Sequence, residues 1–402
     1  MKRSGYADLP LHGGKVPLWL SSRMAKLGGA IVESVISEYG KSELISRMSD
    51  PFWFQSLGAV LGMDWHSSGI TTSVMGALKK SVNAKSAELG IYICGGKGKF
   101  SRQTPFELLK IADQTGLNGN ELVYASKAAA KVDNTAIQDG FQLYLHSFIL
   151  SDEGEWAVVQ QGMNENSGMA RRYHWHSRLV KSFIEEPHTS IVGVSQGMIL
   201  NLTDQLAAPS RQGMLDISSE NPVLMIPEIK RIIMPRHHEV TVKDVDLKRL
   251  GAVLAVAWER KLRNFEELLM LEGMGPRTIQ SLALVSEVIH GTPTRFKDPA
   301  RFSFAHGGKD KHPFPVPTKV YDETISFLSR AVDKSKIELT EKQKAMKALH
   351  QLTVEVEKNF TPGLDFDKVI EKERKDSWKY GGKSVFGDEK PPQTGGQLDL
   401  FS

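Results

Sequence analysis

The chain has 402 residues, of which 40% are hydrophobic and 24% charged. This is a folded composition with material for one large core or two domains. Net charge is +4, from 51 basic and 47 acidic residues, so any nucleic-acid footprint has to be local. No run approaches the ~20 apolar residues of a membrane helix, which excludes a helical membrane protein. The single cysteine, Cys94, excludes an intrachain disulfide and a cysteine-based zinc site. With no apolar signal region near the start, a reducing cytoplasmic location is expected.

In chain order the sequence divides into four parts. Residues 1–215 are expected to form a mixed domain that carries the chemistry. Residues 230–335 read as a helical domain, 336–378 as a charged helical extension, and 379–402 as a polar tail. The fold class expected is α+β, predominantly α with some β. Ser22 to Tyr39 spaces Met24, Leu27, Ile31 and Val35 as a helix does. Lys79 to Arg102 carries five lysines and one arginine against Glu88 and reads as a basic strip. Thr104-Pro105-Phe106-Glu107 has the form of a capping box. Glu121 to about Leu150 is predicted as one long helical region, weakened at Gly140. Glu155 to Val159 is predicted as a strand. Pro209, Ser210, Gly213, Pro222 and Pro227 mark a boundary, and Thr241 to Trp258 is the next helix, with Thr241 and Asp244 as its cap pair.

Asn264 is expected to cap a further helix with an apolar face of Phe265, Leu268, Leu269 and Leu271. Leu271-Glu272-Gly273-Met274-Gly275-Pro276-Arg277-Thr278 then turns into a second helix. Closely spaced glycines permit a tight turn and leave N–H groups open at the next helix start, where the dipole favours a phosphate. Gly273, Gly275, Arg277 and Thr278 are the expected DNA contacts. The segment resembles the helix–hairpin–helix of DNA repair and recombination proteins, which grips the backbone rather than reading bases. Bifunctional glycosylases of that type place a catalytic lysine where this chain has Arg277, and an aspartate where it has Pro317. An arginine cannot form the imine that a lysine can, so the hairpin itself resembles a DNA-binding relative and not a glycosylase centre.

The chain ends Gln397-Leu398-Asp399-Leu400-Phe401-Ser402. Gln397, Leu398, Leu400 and Phe401 resemble the peptide by which bacterial replication and repair proteins dock on the sliding clamp. The resemblance implies DNA and the bacterial sliding clamp as partners.

Chemistry is expected in the first part. The Gly-Gly-Lys runs at residues 13–15, 95–97, 307–309 and 381–383 lack the phosphate-loop pattern, so no nucleotide cofactor is evident. Lys97, Arg171 and Arg172 are candidate phosphate contacts. His66, within Asp64-Trp65-His66-Ser67-Ser68, has the right reference pKa for proton transfer. If residues 173–176 are extended, His174 and His176 share a face. Asp139, His174, His176 and His188 are the candidate ligands of a divalent metal, Mg or Mn, with His66, Asp133, Asp139, His174 and His176 as catalytic candidates. Metal-assisted phosphodiester cleavage needs a Lewis acid and an activated water. A rival pocket for an extruded base would use Trp65, Tyr173 and Trp175.

Taken whole, the chain resembles domain-of-unknown-function family 763. The resemblance rests on Leu9-Pro10-Leu11-His12-Gly13-Gly14, His66-Ser67-Ser68-Gly69, Lys131-Val132-Asp133-Asn134, Ala170-Arg171-Arg172-Tyr173-His174-Trp175 and Phe304-Ala305-His306-Gly307-Gly308-Lys309. It implies a shared fold and carries no activity. The expected function is a DNA-processing enzyme, a metal-dependent nuclease directed to a structure or lesion and recruited by the clamp. A glycosylase or lyase and a non-enzymatic clamp-associated adaptor are the alternatives.

Overall fold

The computed structural model describes residues 18–63, 69–165, 167–233, 247–300, 318–358, 383–384 and 387–388. His66 and its neighbours 64–68, the Gly-Gly-Lys runs at 13–15 and 307–309, the histidines at 237 and 238, the Thr241–Asp244 cap pair, Pro317 and the 397–401 peptide lie outside these residues.

The described residues begin with helices α1 (Leu18–Tyr39), α2 (Lys41–Ser49), α3 (Pro51–Val60) and α4 (Gly69–Val82), then a single turn, α5 (Ser86–Leu89). Strand β1 (Ile91–Lys97) leads to α6 (Thr104–Thr115) and α7 (Gly119–Lys131). Strands β2 (Ile137–Gln138), β3 (Gln142–Ser151), β4 (Trp156–Asn164), β5 (Met169–His176), β6 (Ser190–Val192) and β7 (Met198–Asn201) follow. The second half is helical: α8 (Ala208–Ser219), α9 (Pro222–Ile233), α10 (Leu247–Arg260), α11 (Phe265–Leu269) and α12 (Pro276–His290). It is completed by β8 (Arg295–Lys297), α13 (Thr318–Lys334) and α14 (Leu339–Lys358). Among the described residues no helix is long and apolar enough to cross a membrane.

The architecture is α+β. An antiparallel sheet in the order β1-β3-β4-β5-β6 forms the middle layer. Helix α2 packs on β3, β4 and β5, while α6 contacts β1 and β3, and α7 contacts β3 and β4. Because both faces are covered, β5 is buried at seven of its eight positions. Residues 1–352 form one compact unit, and one apolar cluster within it joins Cys94, Phe148 and Trp175 of the sheet to Leu254, Leu268 and Leu282 of the second half. Residues 353–402 form a separate unit, in which β9 (Lys383–Ser384) pairs with β10 (Gly387–Asp388).

Two sequence expectations are corrected. The helix predicted to continue to Leu150 ends at Lys131; a π-helical turn, Val132–Ala136, follows, and Gln142–Ser151 is a strand. A strand buried on both faces is apolar almost continuously, so its period resembles that of a buried helix. Gly140, at φ 85°, makes the bend into it. The capping box also fails. The Thr104 hydroxyl donates to the Ser101 carbonyl at 2.8 Å, and Glu107 accepts from the Gly95 N–H at 2.6 Å and from Lys79 at 2.7 Å. Glu107 therefore staples α6 to β1 and α4 and neutralises one lysine of the basic strip.

Candidate functional site

Alternation along β5 places Arg172, His174 and His176 on one face of the sheet and Arg171, Tyr173 and Trp175 on the other. His174 and His176 do share a face, as the spacing predicts. The four expected metal ligands are nevertheless divided. His174 Nε2 accepts from Arg172 Nε at 2.8 Å, and His176 pairs with Glu155 at 3.0 Å. Asp139 and His188 instead interact with groups of the opposite face: Asp139 accepts from Arg171 at 2.7 Å and from Tyr173 Oη at 2.7 Å, and the His188 ring lies 4.5 Å from that of Trp175. The sheet stands between the two pairs, so they do not share one coordination sphere. Among the described residues no three His, Cys, Asp or Glu side chains converge.

The two arginines expected at phosphates are interior. Arg171 is held between Asp139 and Asp298, donating to Asp298 at 2.7 and 3.0 Å and to the Val194 carbonyl at 2.6 Å. Burial raises the Asp139 carboxyl above its usual range, although Arg171 and Tyr173 pull it down. Arg172 donates to Gln55 at 2.9 Å and to the Pro51 carbonyl at 3.2 Å and stacks on Phe54; burial lowers its pKa to about 9. Both arginines tie the sheet to other layers instead of reaching a nucleic-acid surface. Lys97 remains at the surface, over the Tyr144 ring. Tyr173 and Trp175, expected to stack on an extruded base, are fully buried.

What the structure assembles is a chain of hydrogen bonds ending at Asp133. Its carboxylate is fully buried in the π-helical turn. Oδ2 accepts from Gln160 Nε2 at 2.6 Å and from Trp175 Nε1 at 3.1 Å. Because Gln160 spends its amide on Asp133, its oxygen must accept from His146 Nδ1, at 2.9 Å. His146 Nε2 then accepts from the Ser126 hydroxyl, at 2.8 Å. Every donor points toward Asp133, which requires a neutral His146, and burial lowers the pKa of that ring as this polarity demands. On the other oxygen, Oδ1, the partner is His188 Nε2. A carboxylate only accepts, so Nε2 carries the proton, and neutral His188 keeps a lone pair on Nδ1. Nδ1 has no hydrogen-bond partner among the described residues. A histidine oriented by a buried carboxylate can take up a proton, and the imidazolium formed is stabilised in place.

The helical turn of the second half lies against the same segment. Asn264 caps α11, accepting from the Glu267 N–H at 2.9 Å as the sequence predicts. Gly273 adopts φ 84°, which a side chain would strain. Gly275 precedes α12 in extended conformation and Arg277 is exposed in its first turn. Thr278, expected at DNA, is buried, and its hydroxyl donates to the Gly273 carbonyl at 3.3 Å, so it braces the turn. Lys131 Nζ donates to the Leu271 carbonyl at 3.4 Å, and Gln138 Nε2 donates to the Pro276 carbonyl at 2.6 Å. Both ends of the segment that carries Asp133 are thereby tied to the turn. Lys131, His146 and Gln160 carry no local signal in the sequence; only their pairing across strands and layers identifies them.

The fold is thus an α+β three-layer arrangement with a buried polar relay under a glycine turn. Residues 5–316 match the family model described as "Protein of unknown function (DUF763)", and the chain belongs to that family. No curated protein and no solved structure matches it.

Proposed function

We propose that the protein processes DNA: the 270–278 turn grips the duplex backbone, and the Asp133–His188 pair transfers a proton during cleavage at a nick, lesion or junction. The observation that carries this reading is the segment 131–138. It holds the turn through Lys131 and Gln138 and holds the catalytic candidate Asp133 between them. A backbone phosphate seated at the start of α12 would meet open N–H groups, the helix dipole and the exposed Arg277. His188 Nδ1 would accept a proton from the attacking water, with Asp133 steadying the imidazolium. No metal ligand set is assigned. The Gln397–Phe401 peptide supports recruitment by a sliding clamp and a place in replication or repair.

The test is cleavage of labelled intact, nicked, mismatched, uracil-containing and abasic duplexes, with magnesium, with manganese and in chelator. Products lost in H188A, with DNA binding retained, support the reading. Binding without turnover on every substrate favours the non-enzymatic adaptor.

A further inference from the structure

We propose that the Lys131 side-chain amine condenses with the ring-opened sugar aldehyde of an abasic site, giving the protein an abasic-site lyase activity. The inference rests on the reading of the 270–278 turn as the element that holds DNA.

Lys131 is the last residue of α7, half-buried, with Nζ against the carbonyl that opens the turn. Lys41 is neutralised by Asp152 and Glu153, Lys79 by Glu107 and Lys85 by Glu33. Among the described residues Lys131 has no carboxylate partner, and the charged group that acts on it is the guanidinium of Arg249. That guanidinium also lies beside Gly275, 3.8 Å from where a Cβ would stand there. Burial first, and Arg249 second, lower the lysine's pKa. A lysine desolvated and set beside another cation is the arrangement that yields a neutral, nucleophilic amine. A side chain kept only to neutralise phosphate gains nothing from a weakened hold on its proton; an amine that attacks a carbonyl does. In DNA the carbonyl open to attack as an aldehyde is the sugar of a site that has lost its base.

The step balances without a co-reactant. Nζ adds to C1′, water leaves and an iminium forms. The acidified C2′ proton passes to solvent, the C3′–O bond breaks and the 3′ phosphate departs. Water then hydrolyses the imine and frees Lys131.

The experiment incubates the full chain, in chelator, with an abasic duplex and sodium cyanoborohydride, which reduces the imine to a stable adduct. Binding is measured separately on a duplex whose abasic sugar has been reduced to the alcohol. Wild type and K127A, an exposed lysine one turn earlier, should trap adduct, and mass mapping should place it on Lys131. At protein concentrations that saturate the reduced duplex, K131R should lose the adduct to the level of an intact duplex, because a guanidinium does not form the imine. Binding with no adduct in wild type, or adduct mapped to another amine, overturns the assignment. Failure to bind any duplex overturns both this inference and the DNA reading.

Discussion

His188 donates to the buried Asp133 carboxylate across 55 residues of sequence, from the loop before β6 to the π-helical turn after α7. The opposite carboxylate oxygen is already bonded to Gln160 and Trp175. Asp133 is therefore held from three sides, and His188 is the member of the group with a ring nitrogen to spare. D133N would place an amide where both oxygens now accept, opposing a donor on at least one side. We expect H188A and D133N each to reduce DNA cleavage about 10²–10⁴-fold. Single-turnover rates at saturating protein, with binding measured in parallel, check this. A rate unchanged in H188A removes the pair from the mechanism.

The glycine turn should contribute affinity without base preference. R277A removes one exposed cation, so binding should weaken similarly on every duplex sequence and the slope of log K against log salt should fall by about 1. G273A forces a side chain into φ 84° and should cost on the order of 1 kcal/mol of stability. Gel-shift titrations at several salt concentrations, and urea midpoints, provide the two readings. An unchanged salt slope in R277A would place the DNA surface elsewhere.

Arg171 sits between Asp139 and Asp298, with all three side chains fully buried. Removing it leaves two carboxylates facing each other without their shared cation. R171A should destabilise the fold by roughly 3–5 kcal/mol. R171K should recover little, since an ammonium cannot serve both acceptors in the guanidinium's planar geometry. Denaturant unfolding of the two variants tests the ordering; a midpoint near wild type for R171K would contradict it.

Acid should unfold the protein early. His146 and His174 are both held neutral: burial lowers each pKa, and Arg172 lowers that of His174 further. The unfolded chain binds these protons near the ordinary value of 6.5, while the folded chain binds them only at lower pH. Stability is then fully present above 6.5 and is lost as pH falls below it. Denaturant midpoints between pH 8 and 5 should decline below 6.5, and H146Q should soften the decline. A flat profile across that range would mean that neither ring is held neutral.

Burial pushes the Cys94 thiol up to about 12, with Glu107 adding to the effect. Because the unfolded thiol ionises near 9.0 and the folded one only near 12, this group's contribution is intact below 9 and lost as pH rises between the two values. At neutral pH a disulfide reagent should label Cys94 only after denaturation. Fast labelling of the native protein would show that the thiol is accessible.

Local chemistry was legible in the sequence. The spacing of Met24, Leu27, Ile31 and Val35, the Asn264 cap, the turn at Gly273 and the shared face of His174 and His176 depend on neighbours a few residues away, and each appears as read. The fold class followed from the same patterns, and the family from the motifs in residues 5–316. Tertiary structure decided which polar side chains meet. Strand β3 was misread because a strand covered on both faces loses its alternation. With it went the register that sets His146 opposite Gln160 and Gln160 opposite Tyr173. Asp133, His188 and Lys131 were visible as residue types, but an oriented base and an amine without a carboxylate beside it are properties of a surrounding. The partners that make those surroundings, Trp175, Leu271 and Arg249, lie tens of residues or more away in the chain and are brought close only by packing.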